Sequence, residues 1–256
     1  MKIAYIGIDL FYPAPLWLQN AGAEIAEVFT CKTDNVTEFN TKIIAFAKEN
    51  KIPYTLSRIT AEDIKRLRES GVHAAVCAGY YYKIPVTEDF PIVNIHPSLL
   101  PLGRGSWPMP HAILSGAKKS GVTIHKIAEG FDTGDILMQE SFNLAKDENL
   151  DTFMEKALGL LPDMLKRLVK NFDSLWRGAK KQGEGEYIAA QTEKDWTVTA
   201  DMAADTADGI LRAFYGYECI YAGKNGNVMI HRGRARKGEP LGQKLPLTDG
   251  YIEIIE

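Results

Sequence analysis

The chain has 256 residues, of which 45% are hydrophobic and 25% are charged, and its net charge is −3. These values are ordinary for a soluble globular protein with one large domain, or with one domain and an appendage. The charge gives no global attraction for polyanions, and the longest apolar runs fall well short of the roughly 18 residues that predict a membrane span. The chain opens as a strand without a secretory signal pattern, and its three cysteines lack Cys-x-x-Cys spacing, so we predict a cytoplasmic protein. The five histidines show no ligand-like spacing, and we expect no metal site.

Strand-like and helix-like patterns alternate along the N-terminal part of the chain. Apolar strand-like runs cover residues 2–8, 24–31, 53–56, 72–80 and 92–95, and helix-like patterns cover residues 13–22, 37–51 and 60–70. Thr60 followed by Asp63 is close to a capping box at the start of the last of these helices. The alternation predicts a Rossmann-like, doubly wound, mostly parallel α/β sheet with helices on both faces. Such sheets bind ligands beyond the carboxyl ends of their strands.

The middle of the chain carries the most informative pattern. Asn94 and His96 stand two residues apart at the end of an apolar run, so the alternation of a strand places both side chains on one face. Asp132 lies in a glycine-flanked turn between strand-like residues 121–126 and 135–140. An amide, an imidazole and a carboxylate delivered by two loops form a polar set suited to acyl transfer.

The C-terminal part of the chain predicts a separate small domain. Helices are expected over residues 150–175 and 201–215, followed by strands at 218–222, 227–232 and 251–255. The intervening residues 177–187 are polar and contain glycine, which is typical of a linker. We therefore predict a main domain over residues 1–180 and a small β-containing domain over residues 190–256.

Three motifs in the middle of the chain read Asn94-x-His96-x-Ser98-Leu99-Leu100-Pro101, Gly121-Val122-Thr123 and Asp132-x-Gly134-Asp135. Together they resemble the signature of the folate-dependent formyltransferases. The family includes methionyl-tRNA formyltransferase, glycinamide ribonucleotide formyltransferase, the sugar N-formyltransferases and formyltetrahydrofolate deformylase. The resemblance implies that the main domain is catalytic and that Asn94, His96 and Asp132 are its catalytic residues.

The chemistry of formyl transfer independently suits these three side chains. The reaction passes through a tetrahedral intermediate that carries an oxyanion, and the loss of one oxyanion donor typically costs about 10²–10³ in rate. Asn94 offers an amide N–H, and His96 offers a ring N–H that is a better donor when the ring is charged. We expect Asp132 to raise the pKa of His96 and to accept the proton that the attacking amine loses.

The resemblance also implies 10-formyltetrahydrofolate as the formyl donor. Two segments match positions that form the pterin site in the family: Tyr81, Tyr82, Lys83 and Ile84, and then Ser98, Leu99, Leu100 and Pro101. The turn at residues 128–132 is expected to close over the pterin. The chain has no Walker or Gly-x-Gly-x-x-Gly loop, which argues against a nucleotide cofactor.

The resemblance leaves three kinds of acceptor amine to consider. A phosphate-bearing glycinamide is disfavoured, because Asp9 stands where those enzymes carry a glycine-rich phosphate loop. Transfer RNA is disfavoured because residues 30–42 lack Arg and Gly, whereas RNA binding requires the neutralisation of several phosphates. The basic cluster at residues 231–237 is interpreted as a solvated strand edge. The patterns at residues 33–35 and 80–82 resemble the sugar N-formyltransferases, so we predict a small-molecule amine acceptor, such as a nucleotide-linked amino-sugar.

Two other functions use the same site. Hydrolysis of formyltetrahydrofolate needs the same three side chains with water as acceptor, but the relatives that do this carry an N-terminal regulatory domain, which is not expected because the first strand starts at Lys2. An inactive folate-binding module is disfavoured by the intact trio. The sequence leaves the formation of a homodimer as an open alternative.

The end of the chain resembles the family in part. The motifs Asp195-Trp196 and Arg212-Ala213-Phe214 match those that precede a C-terminal barrel in the methionyl-tRNA and sugar enzymes. About 40 residues follow Phe214, which is too few for a full five-stranded barrel. We therefore predict a truncated barrel or a small sheet.

Overall fold

The computed structural model describes residues 1–34, 39–224, 226–239, 242 and 244–255. Its first eight strands are β1 (Lys2–Gly7), β2 (Glu24–Phe29), β3 (Tyr54–Thr55), β4 (Ala74–Ala78), β5 (Ile92–His96), β6 (Arg104–Gly105), β7 (Lys119–Lys126) and β8 (Ile136–Asn143). The helices are α1 (Ala14–Asn20), α2 (Thr41–Glu49), α3 (Ala61–Glu69), α4 (Pro108–Leu114), α5 (Leu150–Arg177) and α6 (Ala204–Ala213). The predicted strands and helices of the N-terminal part are confirmed, with bounds shifted by a few residues. Asn35 and the predicted first residue of the second helix, Thr37, lie outside the described residues.

The central sheet has seven strands in the order β3-β2-β1-β4-β5-β7-β8. The pairs from β3 to β5 are parallel, whereas β7 runs antiparallel to β5. β4 is buried along its whole length, as expected of a parallel strand that is covered on both faces. The predicted mostly parallel, doubly wound α/β sheet is confirmed, and the carboxyl ends of β1, β4 and β5 meet at one edge.

One apolar cluster joins this sheet to α3. Its members are Ala4, Ile6, Phe29, Ile59, Ile64, Leu67, Val72, Ala75, Cys77, Ile84, Phe90 and Ile92. α3 begins with the predicted capping box: the Thr60 hydroxyl accepts the Asp63 N–H at 3.2 Å, and the Asp63 carboxylate accepts the Thr60 N–H at 3.0 Å. Such caps stabilise a helix by about 1 kcal/mol, which fixes the start of α3 from local sequence.

Asp9 caps the second helix from a distant part of the chain. Its carboxylate accepts the backbone N–H groups of Lys42 and Ile43 at 2.9 Å each and the hydroxyl of Thr41 at 3.3 Å. These N–H groups belong to the first turn of α2, where no partner within the helix exists and the helix dipole favours a negative charge. The anion-binding end of α2 is therefore already occupied by a side chain of the protein.

The chain divides into two compact units. The first comprises Met1–Arg104, Gly121–Ser141 and Ala157–Glu186, and the second comprises Gly105–Ser120, Phe142–Lys156 and Tyr187–Glu256. The last boundary falls in the predicted linker. The division into two continuous domains, 1–180 and 190–256, stays a prediction.

Several short strands lie in the C-terminal part of the second unit. They are β9 (Tyr187–Ile188), β10 (Thr197–Thr199), β11 (Cys219–Gly223), β12 (Gly226–Ile230), β13 (Gly233–Lys237), β14 (Leu245–Pro246) and β15 (Gly250–Ile254). Two three-stranded sheets have the orders β10-β11-β12 and β13-β15-β14. β11, β12 and β15 match the predicted strands. β13 lies within the basic cluster that was interpreted as a strand edge. Its residues were not predicted to form a strand of their own, and they form an edge strand paired with β15.

No helix in the described part of the chain has the length and apolar character needed to cross a membrane. Over the same residues, no group of three or more His, Cys, Asp or Glu side chains is placed to hold a metal ion. All three cysteines are buried, which suits small core residues.

Candidate active site

Asn94, His96 and Asp132 come together at the carboxyl end of β5. Asn94 and His96 are alternate residues of this strand, and Asp132 lies on the turn between β7 and β8. The Asp132 Oδ1 atom is 3.4 Å from Asn94 Nδ2 and 3.6 Å from His96 Nδ1. The side chains of His96 and Asp132 are only 7% and 12% exposed. The trio forms one nearly buried cluster, whose internal contacts are longer than the roughly 2.7–3.2 Å of a strong hydrogen bond.

His125 is a fourth member of the cluster that the sequence did not assign. It lies on β7 directly opposite Asn94 of β5. Its Nε2 atom is 3.2 Å from Asn94 Nδ2 and 3.4 Å from Asp132 Oδ1, while Nδ1 is 2.8 Å from the Lys126 carbonyl oxygen. Because a carbonyl oxygen only accepts, Nδ1 carries a proton, and Nε2 of the neutral ring accepts an N–H from Asn94. His125 thereby fixes which way the Asn94 amide faces.

The orientation of the His96 ring follows from the same reasoning. Its Nε2 atom is 2.7 Å from the Gly103 carbonyl oxygen and donates to it. Nδ1 then faces the Asp132 carboxylate. In the neutral ring Nδ1 presents a lone pair to that carboxylate, whereas in the charged ring both nitrogens donate. The arrangement can therefore hold one proton between His96 and Asp132.

Burial decides the charge on His96. The pKa of His96 is lowered from its ordinary value, first because burial penalises the charged ring, and His125 adds to the lowering. Asp132 and the Gly103 carbonyl act in the opposite direction. Asp132 raises the pKa of His96 as expected, but desolvation outweighs the carboxylate, so the net shift is downward. His96 is therefore predominantly neutral at pH 7.

The turn that carries Asp132 is held by its backbone and by the loop after α5. Asp132 has a φ of +55°, in the left-handed region that Asp tolerates better than most residues. Gly134 must be glycine because a Cβ there would collide with the Lys126 carbonyl. Gln182 donates its side-chain amide to the carbonyl oxygens of Asp132, at 2.8 Å, and Gly134, at 2.6 Å. Sequence reasoning missed Gln182, because one glutamine in a polar loop carries no spacing signal.

The first predicted donor-binding segment follows β4. Tyr81 is 42% exposed, Tyr82 is half-buried, and the exposed Lys83 forms an ion pair with Glu129 at 3.1 Å. That ion pair joins the segment to the turn that carries Asp132. Ile84 instead lies in the core cluster. Three of the four predicted side chains are thus accessible, and the fourth is structural.

The second predicted segment is tied into the protein by its own backbone. The Ser98 carbonyl accepts the Thr123 hydroxyl at 2.6 Å, and the Leu100 N–H donates to that hydroxyl at 3.2 Å. The Leu100 carbonyl accepts a glutamine amide of β8 at 2.6 Å. These contacts give the threonine of the Gly-Val-Thr motif a structural role. They leave the half-buried side chains of Leu99 and Pro101 as the accessible groups of the segment.

Comparison with known proteins identifies the family. A formyl transferase domain matches residues 18–169, which is more than half of the chain. The chain belongs to the formyl transferase family. It is 33% identical over 167 residues to a methionyl-tRNA formyltransferase of Ehrlichia ruminantium (strain Gardel), covering 64% of this chain and 54% of the relative. It is 30% identical over 226 residues to that of Anaplasma marginale (strain St. Maries), covering 84% of this chain and 74% of the relative.

Solved structures of formyl transferase family members share the fold. A sugar N-formyltransferase from Shewanella sp FDAARGOS_354 matches with a TM-score of 0.71 and 18% identity, covering 95% of this chain and 99% of that one. At this identity the likeness concerns the fold alone. Against the Ehrlichia relative, the chain spans about half of the relative's length.

Proposed function

We propose that the protein transfers a formyl group from 10-formyltetrahydrofolate to an amine, and that Asn94, His96 and Asp132 act at the reacting centre. The observation that carries this proposal is the convergence of these three side chains at the carboxyl end of β5, in a chain of the formyl transferase family. This edge of a parallel sheet is where such folds bind ligands.

The contacts within the cluster suggest how it serves the reaction. The Asn94 amide makes a long contact of 3.4 Å to the carboxylate. An oxyanion can take this N–H, because apo-site hydrogen bonds often tighten only when the reacting group is bound. The neutral His96 ring has no N–H to offer, since its Nε2–H is donated to the Gly103 carbonyl. Since His96 is predominantly neutral, the Asp132 carboxylate is the group that takes the proton from the attacking amine, and Nδ1 of His96 can share it.

The accessible groups fit a flat, partly polar donor. Tyr81 and Tyr82 are exposed or half-buried beside Lys83, whose ion pair with Glu129 joins this segment to the Asp132 turn, and Leu99 supplies a half-buried apolar side chain. Apolar walls with a few fixed polar groups are typical of small-molecule sites. We infer that these groups hold the donor, which supplies the one-carbon group.

The proposed acceptor is a small or nucleotide-linked amino-sugar. A phosphate placed at the start of α2 would meet the carboxylate of Asp9, which already takes the N–H groups of Lys42 and Ile43. The donors that bind an anion at a helix N-terminus are therefore occupied, and a second negative charge is repelled. This disfavours an acceptor that depends on a phosphate at that position.

The basic cluster at residues 231–237 has acidic partners of its own. Arg234 pairs with Asp208 at 2.7 Å, and Lys237 pairs with Asp205 at 2.6 Å. An RNA phosphate would have to displace these carboxylates before it gained the charge interaction that dominates RNA affinity. The cluster therefore offers less attraction for RNA than its sequence suggests.

Methionyl-tRNA is the second candidate acceptor. The specific observation that favours it is the 30% identity over 84% of this chain to the Anaplasma marginale methionyl-tRNA formyltransferase. Water is the third candidate acceptor, and its use would make the reaction a hydrolysis of the donor.

One acceptor screen separates these outcomes. The protein is incubated with 10-formyltetrahydrofolate and either nucleotide-linked amino-sugars or initiator methionyl-tRNA, and the release of tetrahydrofolate is followed. We expect release with an amino-sugar and none with tRNA or without acceptor. Release with tRNA alone would select the second candidate, release without acceptor would select hydrolysis, and no donor binding would remove the proposal.

A further inference from the structure

We propose that Gln182 and Arg104 form a brace that positions Asp132 against His96. This inference rests on the proposed function, because it assigns a role in the same site. Neither residue belongs to the motifs of the catalytic cluster, and Gln182 bonds to the backbone of the Asp132 turn. They are positioning residues, which act through the backbone on either side of the catalytic pair.

The Gln182 side chain uses all of its hydrogen-bonding capacity on two loops. Its Nε2 donates to the carbonyl oxygens of Asp132, at 2.8 Å, and Gly134, at 2.6 Å. Its Oε1 accepts from Arg104 Nε at 3.1 Å and Nη2 at 2.8 Å. The two N–H groups thus hold two carbonyls that are two residues apart in the turn, a task that needs an amide and that neither a carboxylate nor an alkyl side chain can perform.

Arg104 holds the other side of the brace. Besides its two contacts to Gln182, it donates through Nη2 to the Gly183 carbonyl at 2.9 Å. Its fork of donors therefore fixes both the side chain and the backbone of the linker. Arg104 also directly follows Gly103, whose carbonyl accepts the His96 Nε2–H at 2.7 Å. The brace therefore joins the backbone that anchors His96 to the backbone that carries Asp132.

The Asp132 turn has a particular need for such support. A residue at φ +55° lies in a sparsely populated region that persists only where the surroundings specify it. The 3.6 Å separation of the Asp132 carboxylate and the His96 ring depends on this conformation. Misplacement by about 1 Å of a group in a reacting site can cost roughly 10²-fold in rate.

The test uses Gln182→Ala and Gln182→Glu in the full chain. The glutamate keeps an acceptor for Arg104 but loses both N–H groups, so we expect it to be as damaging as alanine. The control is Asn50→Ala, which also removes a side-chain amide that donates to a backbone carbonyl (Phe46 O, 2.9 Å), at the end of α2. We expect kcat to fall roughly 10- to 100-fold in both Gln182 variants, while their KM for the donor stays within about twofold of wild type. In the Asn50→Ala control, kcat and KM should both stay within about twofold of wild type.

A second readout does not depend on activity. The titratable groups that face His96 are Asp132 from the turn and His125 from β7, and Cys77 on β4 faces Asp132 in turn. When the turn relaxes while the His96 ring stays buried on β5, the ring loses the charge that favours its cation. Its pKa, measured by NMR titration of the ring protons, should therefore fall further.

These outcomes separate the brace from the proposed function. Wild-type kcat and wild-type His96 titration in a folded Gln182→Ala protein would overturn the brace. If wild type itself transfers no formyl group, the proposed function fails, and the His96 titration still decides the brace. If Gln182→Ala does not fold, Gln182→Glu and Arg104→Met decide in its place: both must lower kcat and the His96 pKa, and a folded variant with neither effect refutes the inference.

Discussion

Replacing His125 with phenylalanine should release the Asn94 amide. His125 donates through Nδ1 to the Lys126 carbonyl at 2.8 Å and accepts the Asn94 N–H through Nε2 at 3.2 Å. Phenylalanine keeps a buried ring of similar size and makes neither hydrogen bond. The change therefore tests the polar role of the side chain with little change in packing.

The expected cost follows from the two partners left behind. A buried polar group that loses its partner costs about 1–3 kcal/mol. The Asn94 amide retains a long contact to Asp132 at 3.4 Å, so the cost of its lost hydrogen bond should lie at the lower end of this range. Together the two losses should lower the free energy of unfolding by about 2–4 kcal/mol. His73→Phe is the control, because His73 pairs with Asp173 but the two side chains are 42% and 63% exposed, and an exposed pair is worth about 0–1 kcal/mol.

Urea unfolding followed by tryptophan fluorescence measures the stability of both variants. The side-chain amide resonance of Asn94 in a ¹⁵N-resolved NMR spectrum reports the hydrogen bond directly, and it should move and exchange faster in His125→Phe. Turnover should also fall, by about 10- to 100-fold, since a misoriented donor cannot meet the oxyanion. A variant with wild-type stability and an unchanged Asn94 resonance would refute the assigned tautomer and the contact between these residues.

Three further predictions address the site and the C-terminal sheets. Asn94→Ala, His96→Ala and Asp132→Ala should each lower turnover by at least about 10² in folded protein, and double variants that lose the full product of the single effects would contradict a shared site. Because the His96 pKa is lowered in the folded state, the unfolded state binds more protons below about pH 6.5, so stability present above that pH is lost as the pH falls. His96→Asn should flatten this slope in urea titrations from pH 8 to 5, and an unchanged slope would argue against a buried neutral ring. Asp208→Asn should lower the free energy of unfolding by about 1.5–3 kcal/mol, because its carboxylate accepts from two arginines and a backbone N–H. The exposed Asp205→Asn should cost below about 1 kcal/mol, and equal losses would contradict the difference in burial.

The alternation of strand residues predicted that the side chains of Asn94 and His96 lie on the same face of their strand. It could not predict which way the side chain of His125 points. β7 is buried from Ser120 to His125, so both faces of the strand are covered and polarity gives no information about direction. Only the pairing of β7 with β5 places His125 opposite Asn94. That is a contact between residues far apart in the chain, which a local pattern does not contain.

Elements with local signals were predicted well, and those that depend on tertiary contacts were not. The Thr60 capping box fixed the start of α3 because all of its groups lie within one turn. β13 reads Gly-Arg-Ala-Arg-Lys, a composition poor in strand-forming residues, and it is ordered by β15 and by the bond of Arg234 to Asp208. The net lowering of the His96 pKa could not be predicted for a related reason: the sequence identifies the neighbouring carboxylate, which raises the pKa, but gives no measure of the burial that lowers it.

The left-handed conformation of Asp132 has a consequence for engineering. Glycine and asparagine adopt this region more readily than most residues, and the bonds from Gln182 reach the backbone of the turn rather than the carboxylate. A design procedure that scored thermal stability alone would therefore accept Asn or Gly at position 132 and keep the fold. We expect the resulting protein to express, purify and melt like its parent while lacking the carboxylate on which the proposed reaction depends. Screens for stabilised variants of this protein should therefore hold position 132 fixed.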